Sequence, residues 1–161
     1  MPSLLFVCTA NQFRSPIAAA CFSRKMTDLN WKSKWNVSSA GVWTTIGRPA
    51  LPEAEEVARK LGLSLEGHLS TAVTPALVSV NDLIMVMEKG QKEALQNEFS
   101  VFRSRIYLLS EVAHGSNYDI PDPTSEGLER CMEVGTQIFT LIDKGFYRIC
   151  NKVLRQRRLQ M

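Results

Sequence analysis

Residues 3–16 of the chain read SLLFVCTANQFRSP, and the predicted architecture is built around this stretch. Ser3 to Val7 is a nearly unbroken apolar run, which is typical of a strand buried on both faces of a parallel sheet. Cys8 to Arg14 form a predicted turn. Ser15 and Pro16 then combine a helix N-cap residue with proline at the first helical position. The stretch therefore predicts a strand, a tight loop and a helix in direct succession.

The rest of the chain alternates predicted strands and helices. Further strands are predicted at Trp35 to Ala40, Leu83 to Met87 and Arg105 to Leu109, the last followed by a long loop. Apolar spacing predicts helices from Ser15 to Leu29, Leu51 to Leu61, Thr74 to Val78, Gln91 to Phe99 and Leu128 to Val153, the last interrupted or softened at Gly145. This order predicts an α/β fold with a doubly wound sheet and right-handed crossovers.

Length and composition predict a globular protein with a full apolar core. The 161 residues are enough for one α/β domain spanning 1–161, with 45% hydrophobic and 22% charged residues. A net charge of +3 is too small to indicate a nucleic-acid partner. Four basic residues, Lys152, Arg155, Arg157 and Arg158, crowd the end of the chain, and we interpret them as a solvated, frayed helix end rather than a polyanion or membrane patch.

No apolar run approaches membrane-spanning length, and no signal-type segment is visible, so we expect a cytoplasmic protein without membrane insertion. Four cysteines, at positions 8, 21, 131 and 150, lack C-x-x-C spacing. In a reducing compartment we expect them to be free thiols.

The turn after the first strand carries the parts of an anion site. A strand-to-helix turn directs backbone N–H groups into one concavity, where the helix dipole also favours negative charge. Asn11 tolerates the left-handed backbone that a tight loop needs, and Arg14 adds a planar fork of donors for phosphate. The same positive surroundings favour the thiolate of Cys8, to which Ser15 can donate a hydrogen bond. Cys8 taken alone would be a small buried residue, but this combination indicates a nucleophile.

Three segments resemble the low-molecular-weight protein tyrosine phosphatases. Phe6 to Pro16 resembles the family's phosphate loop, Ser38 to Gly41 its Ser-Ala-Gly segment, and Asp119 to Pro123 its acid loop. Their order and separation fit, so the resemblance spans nearly the whole chain. It implies a flavodoxin-like three-layer α/β/α sandwich with a four-stranded parallel sheet. It also implies phosphomonoester hydrolysis, of a phosphorylated protein or a small aryl phosphate, through a cysteinyl-phosphate intermediate and without metal or organic cofactor.

The resemblance assigns roles to residues of this chain. It makes Cys8 the nucleophile, Arg14 the phosphate clamp and Asp122 the general acid. The phosphate-binding segment is Thr9, Ala10, Asn11, Gln12, Phe13, Arg14 and Ser15, and the loop supports are Asn11, Ser15 and Ser39.

Asp122 also fits the role of acid on chemical grounds. A carboxylic acid above the leaving oxygen assists P–O cleavage by donating a proton, and its carboxylate then takes a proton from the attacking water. Asp119 is the competing acid, and a simple Asp-Pro surface turn is the alternative reading. We favour Asp122 because Pro123 stiffens the backbone beside it and the motif register matches.

The chain departs from the family pattern at several positions. Phe13 stands where many members carry a second cysteine, so a disulfide within the loop is excluded, and Ala10 replaces a common glycine. Thr124 and Ser125 follow the acid loop where phosphotyrosine-specific members carry aromatic residues, which leaves the substrate preference open. Trp43 is a candidate replacement wall for the substrate, or a cover for the core edge like Trp31 and Trp35. His68 and His114 lack partners at metal-ligand spacing and are interpreted as surface or capping residues.

Two other functions fit parts of the pattern. Arsenate reduction uses the same fold and thiolate chemistry, but it needs resolving cysteines. The remaining thiols, Cys21, Cys131 and Cys150, lie on predicted helices, and none lies in the segment directly after Met87, where that relay would be expected. An inactive phosphate-binding or partner-docking domain is suggested by Phe13 and by Thr124-Ser125. The presence of Cys8, Arg14 and Asp122 argues against it.

Overall fold

The computed structural model describes residues 1–161, and a parallel sheet lies at its centre. The strands are β1 (Ser3–Cys8), β2 (Asn36–Gly41), β3 (Leu83–Val86) and β4 (Ile106–Leu108). They lie in the order β2-β1-β3-β4, and all neighbours are parallel. The predicted four-stranded flavodoxin-like sheet is therefore confirmed.

Helices cover both faces of this sheet. They are α1 (Arg14–Asp28), α2 (Pro52–Lys60), α3 (Pro75–Val80), α4 (Lys89–Glu98), α5 (Leu109–Ala113) and α6 (Leu128–Leu159), with short 3₁₀ turns at Lys32–Lys34 and Ser100–Arg105. No helix combines the length and apolar character needed to cross a membrane.

Alternate residues of β1 enter two separate apolar clusters, which explains its unbroken hydrophobic sequence. Leu4, Phe6 and Cys8 pack with α1, α2, α5 and α6 on one face. Leu5 and Val7 pack with α3 and α4 on the other. Every residue of β1 is buried, as expected for a central strand.

Cys8 lies at the carboxyl end of the central strand β1, at the point where the order of the strands reverses. It is the last residue of β1, which pairs with β2 on one side and with β3 on the other. The crevice outside the carboxyl ends of strands at such a switch point is the usual ligand site of doubly wound sheets. The fold therefore places the loop after Cys8 where a ligand would bind.

Two predicted boundaries are wrong. Helix α1 begins at Arg14, and its N-cap residue, Phe13, makes no side-chain cap, so Ser15 lies inside the first turn instead of capping it. The strand predicted from Arg105 to Leu109 is limited to Ile106–Leu108, and α5 follows it without a loop. Five residues are too few to show helical periodicity in the sequence.

The last helix also differs from its prediction. It is continuous through Gly145. The glycine is needed for packing and does not break the helix, because a Cβ there would lie 2.6 Å from the carbonyl oxygen of Ala113 in α5. The helix ends at Leu159 and is not frayed. Near its end, Arg157 donates to the carbonyl of Met1 at 3.0 Å and pairs with Asp82 at 3.5 Å.

Candidate active site

The loop from Cys8 to Phe13 has all of its backbone carbonyls turned outward and bound. None of the N–H groups of residues 9–13 donates to an acceptor in the protein. These free donors make the inner side of the loop an anion-binding concavity. The outward bonds run to Cys8 O from Val42 N–H (3.0 Å), Thr9 O from Trp43 N–H (3.0 Å), Ala10 O from the Thr44 hydroxyl, Asn11 O from His68 Nε2 (2.7 Å), Gln12 O from Leu51 N–H (3.0 Å) and Phe13 O from Ile17 N–H (3.2 Å).

Asn11 fixes the centre of this loop. Its backbone is left-handed, with φ at 58°, as the tight turn requires. Its side-chain nitrogen donates to the hydroxyls of Ser15 (2.8 Å) and Ser39 (2.9 Å), and its oxygen accepts from the N–H of Thr71 (2.9 Å). Since the amide uses both ends, the predicted supporting residues Asn11, Ser15 and Ser39 are brought together in one buried network.

The thiol of Cys8 lies beside a hydroxyl. Its Sγ is 3.0 Å from Ser15 Oγ, which is also 3.4 Å from the carbonyl of Ala40. Ser15 accepts from Asn11, so its one hydrogen can be donated either to the sulfur or to the Ala40 carbonyl, and a charged thiolate is the stronger acceptor. The hydroxyl is thus placed to stabilise a thiolate at Cys8.

The Arg14 guanidinium is buried and held from several sides. Its Nη1 forms an ion pair with Glu88 and donates to the carbonyl of Ile120 at 2.8 Å. Its Nη2 donates to the Thr9 hydroxyl at 3.3 Å and lies 3.9 Å from Asp122 Oδ2. With 2% of the side chain exposed, the fork is fixed before any anion arrives.

Gly41 allows the end of β2 to lie directly against the loop. A Cβ at this position would lie 2.5 Å from the Thr9 carbonyl and 3.0 Å from Asn11 N, which is closer than backbone atoms tolerate. This contact explains why the Ser-Ala-Gly segment must end in a glycine here.

The two candidate acids have different surroundings. Asp119 Oδ1 accepts from the N–H of Lys89 at 2.8 Å, so this carboxylate is used to begin α4. Asp122 accepts only from the N–H of Thr124, at 3.1 Å, and its side chain is 47% exposed beside Arg14. The geometry therefore places Asp122, rather than Asp119, over the loop.

The residues predicted to flank the substrate, Trp43, Thr124 and Ser125, are exposed or half-buried. Trp43 follows the loop contact and is 85% exposed, unlike Trp31 and Trp35, which are half-buried against the core. Thr124 is half-buried and Ser125 exposed. Phe13, in contrast, is buried in the core, so only its backbone faces the concavity.

Three residues that support the loop were not identified from the sequence: Glu88, Gln91 and His68. Gln91 donates to the Thr9 hydroxyl at 3.0 Å and accepts from the N–H groups of Met87 and Glu88, both at 3.1 Å. Glu88 and Gln91 follow the carboxyl end of β3, which is the one sequence signal that could have found them. His68, interpreted as a surface or capping residue, instead donates to the Asn11 carbonyl; His114 is exposed, as expected.

The other three thiols are unsuited to chemistry at neutral pH. Burial raises the pKa of Cys21 and of Cys150 to about 12. Burial also raises the pKa of Cys131, with nearby carboxylates adding to the effect. All four cysteines are free, and the protonated state of these three argues against the resolving relay that arsenate reduction needs. No group of three or more His, Cys, Asp or Glu side chains is placed to hold a metal ion.

Comparison with known proteins agrees with this geometry. The family model described as low molecular weight phosphotyrosine protein phosphatase matches residues 3–158. A putative low molecular weight protein-tyrosine-phosphatase of Klebsiella pneumoniae is 34% identical over 143 residues, covering 89% of this chain and 91% of that protein. The protein-arginine-phosphatase of Bacillus subtilis (strain 168) is also 34% identical, over 122 residues, covering 74% of this chain and 78% of that protein.

Among solved structures, a YwlE arginine phosphatase mutant with a phosphorylated active-site serine superimposes with a TM-score of 0.85. It is 27% identical, and the match covers 98% of this chain and 99% of that one. Fold, loop geometry and sequence thus agree over nearly the whole length, and the chain belongs to the low molecular weight phosphotyrosine protein phosphatase family.

Proposed function

We propose that this chain hydrolyses phosphotyrosine in proteins through a phosphoryl group carried on Cys8. The observation that supports this most is the loop itself: five free N–H groups and the fixed Arg14 guanidinium surround the position in front of a thiol. Such preorganised donors stabilise the negative charge of the phosphoryl group in the transition state of its transfer. The relative from Klebsiella pneumoniae carries the same activity in its name.

In the first step, the loop N–H groups and Arg14 hold the phosphoryl oxygens. The Cys8 thiolate attacks phosphorus, so that an S–P bond forms as the P–O bond to the leaving group breaks. Asp122, in its acid form, gives its proton to the departing phenolic oxygen.

In the second step, a water molecule takes the place of the leaving group. The Asp122 carboxylate accepts a proton from this water as its oxygen bonds to phosphorus and the S–P bond breaks. Inorganic phosphate leaves, and the Cys8 thiolate is restored with the hydrogen bond from Ser15 to stabilise it. Every proton and bond is accounted for by side chains of this chain and water.

Phosphoarginine is the second candidate substrate. The acid loop continues with Thr124 and Ser125 instead of aromatic residues, and Trp43 is the one exposed ring beside the loop. The Bacillus subtilis relative of 34% identity is a protein-arginine-phosphatase. Asp122 also places an exposed carboxyl beside Arg14, which suits a cationic guanidine better than a neutral phenol.

The test compares matched peptides that differ only in carrying phosphotyrosine or phosphoarginine, with p-nitrophenyl phosphate as reference, in the presence and absence of a chelator. We expect a higher kcat/KM for the phosphotyrosine peptide, no effect of the chelator, and loss of all turnover in Cys8→Ala. A preference of tenfold or more for phosphoarginine, on the order of 1.4 kcal/mol, would instead assign the second substrate. Turnover that survives Cys8→Ala would refute the proposed mechanism for both.

A further inference from the structure

The end of α6 carries a concentration of positive charge that the active site does not use. Residues 144–161 contain six basic residues and no Asp or Glu. Arg157 and Arg158 lie in the last turn, where cations are favoured by the helix dipole. Lys144, Arg148 and Lys152 lie too far from the end for that explanation, since the effect falls off within one turn.

Four of these residues share one face of the helix. The steps between Lys144, Arg148, Lys152 and Arg155 are four, four and three residues, which places them in one row. We call this row the α6 basic surface. None of the four forms an ion pair, although Lys25 and Lys92 find carboxylates at 2.7 Å. Like charges at this spacing destabilise a helix. The repulsion among these four cations is therefore not offset by any ion pair with a carboxylate.

The α6 basic surface borders a cleft. Arg148, Lys152 and Arg155 line a concavity of about 360 Å³ between α5 and α6, with Val112 and Gly115 opposite. Its only carboxylate is Glu111, whose Oε1 binds Lys92 at 2.7 Å and accepts from the N–H of Leu108 at 2.8 Å. Three cations therefore converge on a groove that holds a single carboxylate, and that carboxylate is paired with Lys92.

The shape and lining of this cleft favour a polypeptide with acidic side chains. Of the exposed apolar residues of α6, Leu128 lies in its first turn, and Tyr147 and Leu154 lie to one side of the basic row. Only Leu159, four residues after Arg155, continues that row. A single leucine beside the cations is too small an apolar face for insertion into a bilayer. The neighbouring ring of Tyr107 is covered by Lys152 Nζ at 4.0 Å from its centroid, so it offers no platform for stacking a base.

We propose that the α6 basic surface docks an acidic segment of the protein substrate, away from the phosphorylated residue. This proposal rests on the proposed function, because it assumes that the substrate is a protein. Carboxylates of such a segment would pair with Arg148, Lys152 and Arg155 in the cleft, raising affinity without touching the reacting atoms.

The sheet sets the distance between the cleft and the phosphate loop. Val7, next to Cys8, pairs with Val86, and Val86 pairs with Leu108, which directly precedes α5. Two strand spacings of about 4.8 Å each therefore separate β1 from the segment that carries Glu111. A flexible linker of about twelve residues is long enough to cover this distance.

The experiment uses the full chain and three phosphotyrosine peptides. After the same flexible linker of about twelve residues, the first carries a run of glutamates, the second a run of lysines and the third a run of glutamines. We expect the first to have a KM about fivefold lower than the others at equal kcat, with the advantage lost at high salt.

The variant Arg148→Gln/Lys152→Gln/Arg155→Gln should remove this advantage and keep wild-type turnover of the glutamine peptide. The matched control, Lys32→Gln/Lys34→Gln/Arg103→Gln, removes the same charge from exposed cations elsewhere and should keep the advantage. Equal KM values for all three peptides, or an advantage that survives the first variant, would overturn the proposal.

Direct binding separates this proposal from the proposed function. Fluorescence anisotropy of the glutamate peptide measures docking even if no phosphotyrosine peptide is hydrolysed, which would refute the catalytic proposal alone. Binding to phosphatidylserine vesicles without binding to the peptide would also overturn the docking proposal, in favour of a membrane surface.

Discussion

Arg14 is held by groups from three separate segments of the chain: Glu88 after β3, Ile120 in the acid loop, and Thr9 in the phosphate loop. A guanidinium fixed in this way does not have to reorganise when the phosphoryl group arrives, which is the condition for strong electrostatic catalysis. The supporting residues therefore matter for the rate as well as for the fold.

A substitution of Gln91 tests whether such supporting residues affect the rate. Its amide oxygen accepts hydrogen bonds at the start of α4, and its amide nitrogen donates to Thr9 in the phosphate loop. Gln91→Glu keeps both bonds from Met87 and Glu88 N–H but cannot donate to Thr9. We expect kcat/KM to fall about tenfold, the value of one hydrogen bond, with little change in Tm. Gln96→Glu, on the same helix, is the control. The Thr9→Val/Gln91→Glu double variant should lose no more than Thr9→Val alone, because the bond that Gln91 donates ends at the Thr9 hydroxyl. Additive losses would contradict the shared role.

The role of Asp122 is tested by the leaving group. Asp122→Asn should slow substrates with poor leaving groups by about 10²- to 10⁴-fold, because these need a proton, and should spare activated aryl phosphates. Steady-state kinetics on a series of substituted phenyl phosphates measure the difference. Asp119→Asn should show no such dependence, since its carboxylate binds Lys89 N–H. A uniform small effect of Asp122→Asn would refute its role as acid.

Sequence was informative at this scale where partners are close along the chain. Cys8, Asn11, Arg14 and Ser15 lie within one loop, so their types and spacing could be interpreted together. The residues that support them come from far away: Glu88 is 74 positions from Arg14, Gln91 is 82 from Thr9 and His68 is 57 from Asn11. No local pattern carries such contacts, because they depend on the order of strands in the sheet.

At the scale of elements, Gly145 determines how α5 packs on α6. Gly145→Ala would place a Cβ 2.6 Å from the Ala113 carbonyl, so α5 must move. We expect a loss of about 1–3 kcal/mol in the free energy of unfolding, despite the better helix propensity of alanine. Gly90→Ala in α4 meets nothing within 4 Å and should stabilise by up to about 1 kcal/mol. Urea unfolding compares the two; a stable Gly145→Ala would contradict this packing.

The same glycine shows why the last helix was predicted imperfectly. From sequence, glycine in a helix indicates a break, and close approach of another helix becomes visible only when α5 is placed. Thr74, in contrast, marks a helix start by its own chemistry, because its side chain accepts from the N–H of Leu77 at 3.1 Å. Local signals predicted such boundaries, and tertiary packing decided the others.

For the whole molecule, the buried thiols of Cys21 and Cys150 make the free energy of unfolding decrease at alkaline pH. The folded-state pKa of Cys21 and Cys150, about 12, lies above the ordinary thiol value of about 8.5. Between these values the native state holds more protons than the unfolded state, so the free energy of unfolding falls as pH rises above about 8.5 and is unaffected below it. Cys21→Ala/Cys150→Ala should show a shallower fall between about pH 8 and 10.5 in denaturant titrations. Parallel curves would contradict the assignment.

The sheet itself could be predicted almost completely. Buried apolar runs identified β1 and β3, and right-handed crossovers leave few ways to order strands that are separated by helices. The cleft beside Arg148 could not be predicted, because it depends on α5, which has no sequence signature of its own.

A phosphoryl group on Cys8 is the intermediate on which the proposed mechanism depends. It can be trapped by rapid quenching of Asp122→Asn mixed with p-nitrophenyl phosphate, followed by peptide mass spectrometry, with Cys8→Ala as control. We expect a burst of one p-nitrophenolate per chain and one phosphoryl group on Cys8, both absent from the control. A burst that persists in Cys8→Ala, or a phosphoryl group found on another residue, would contradict it.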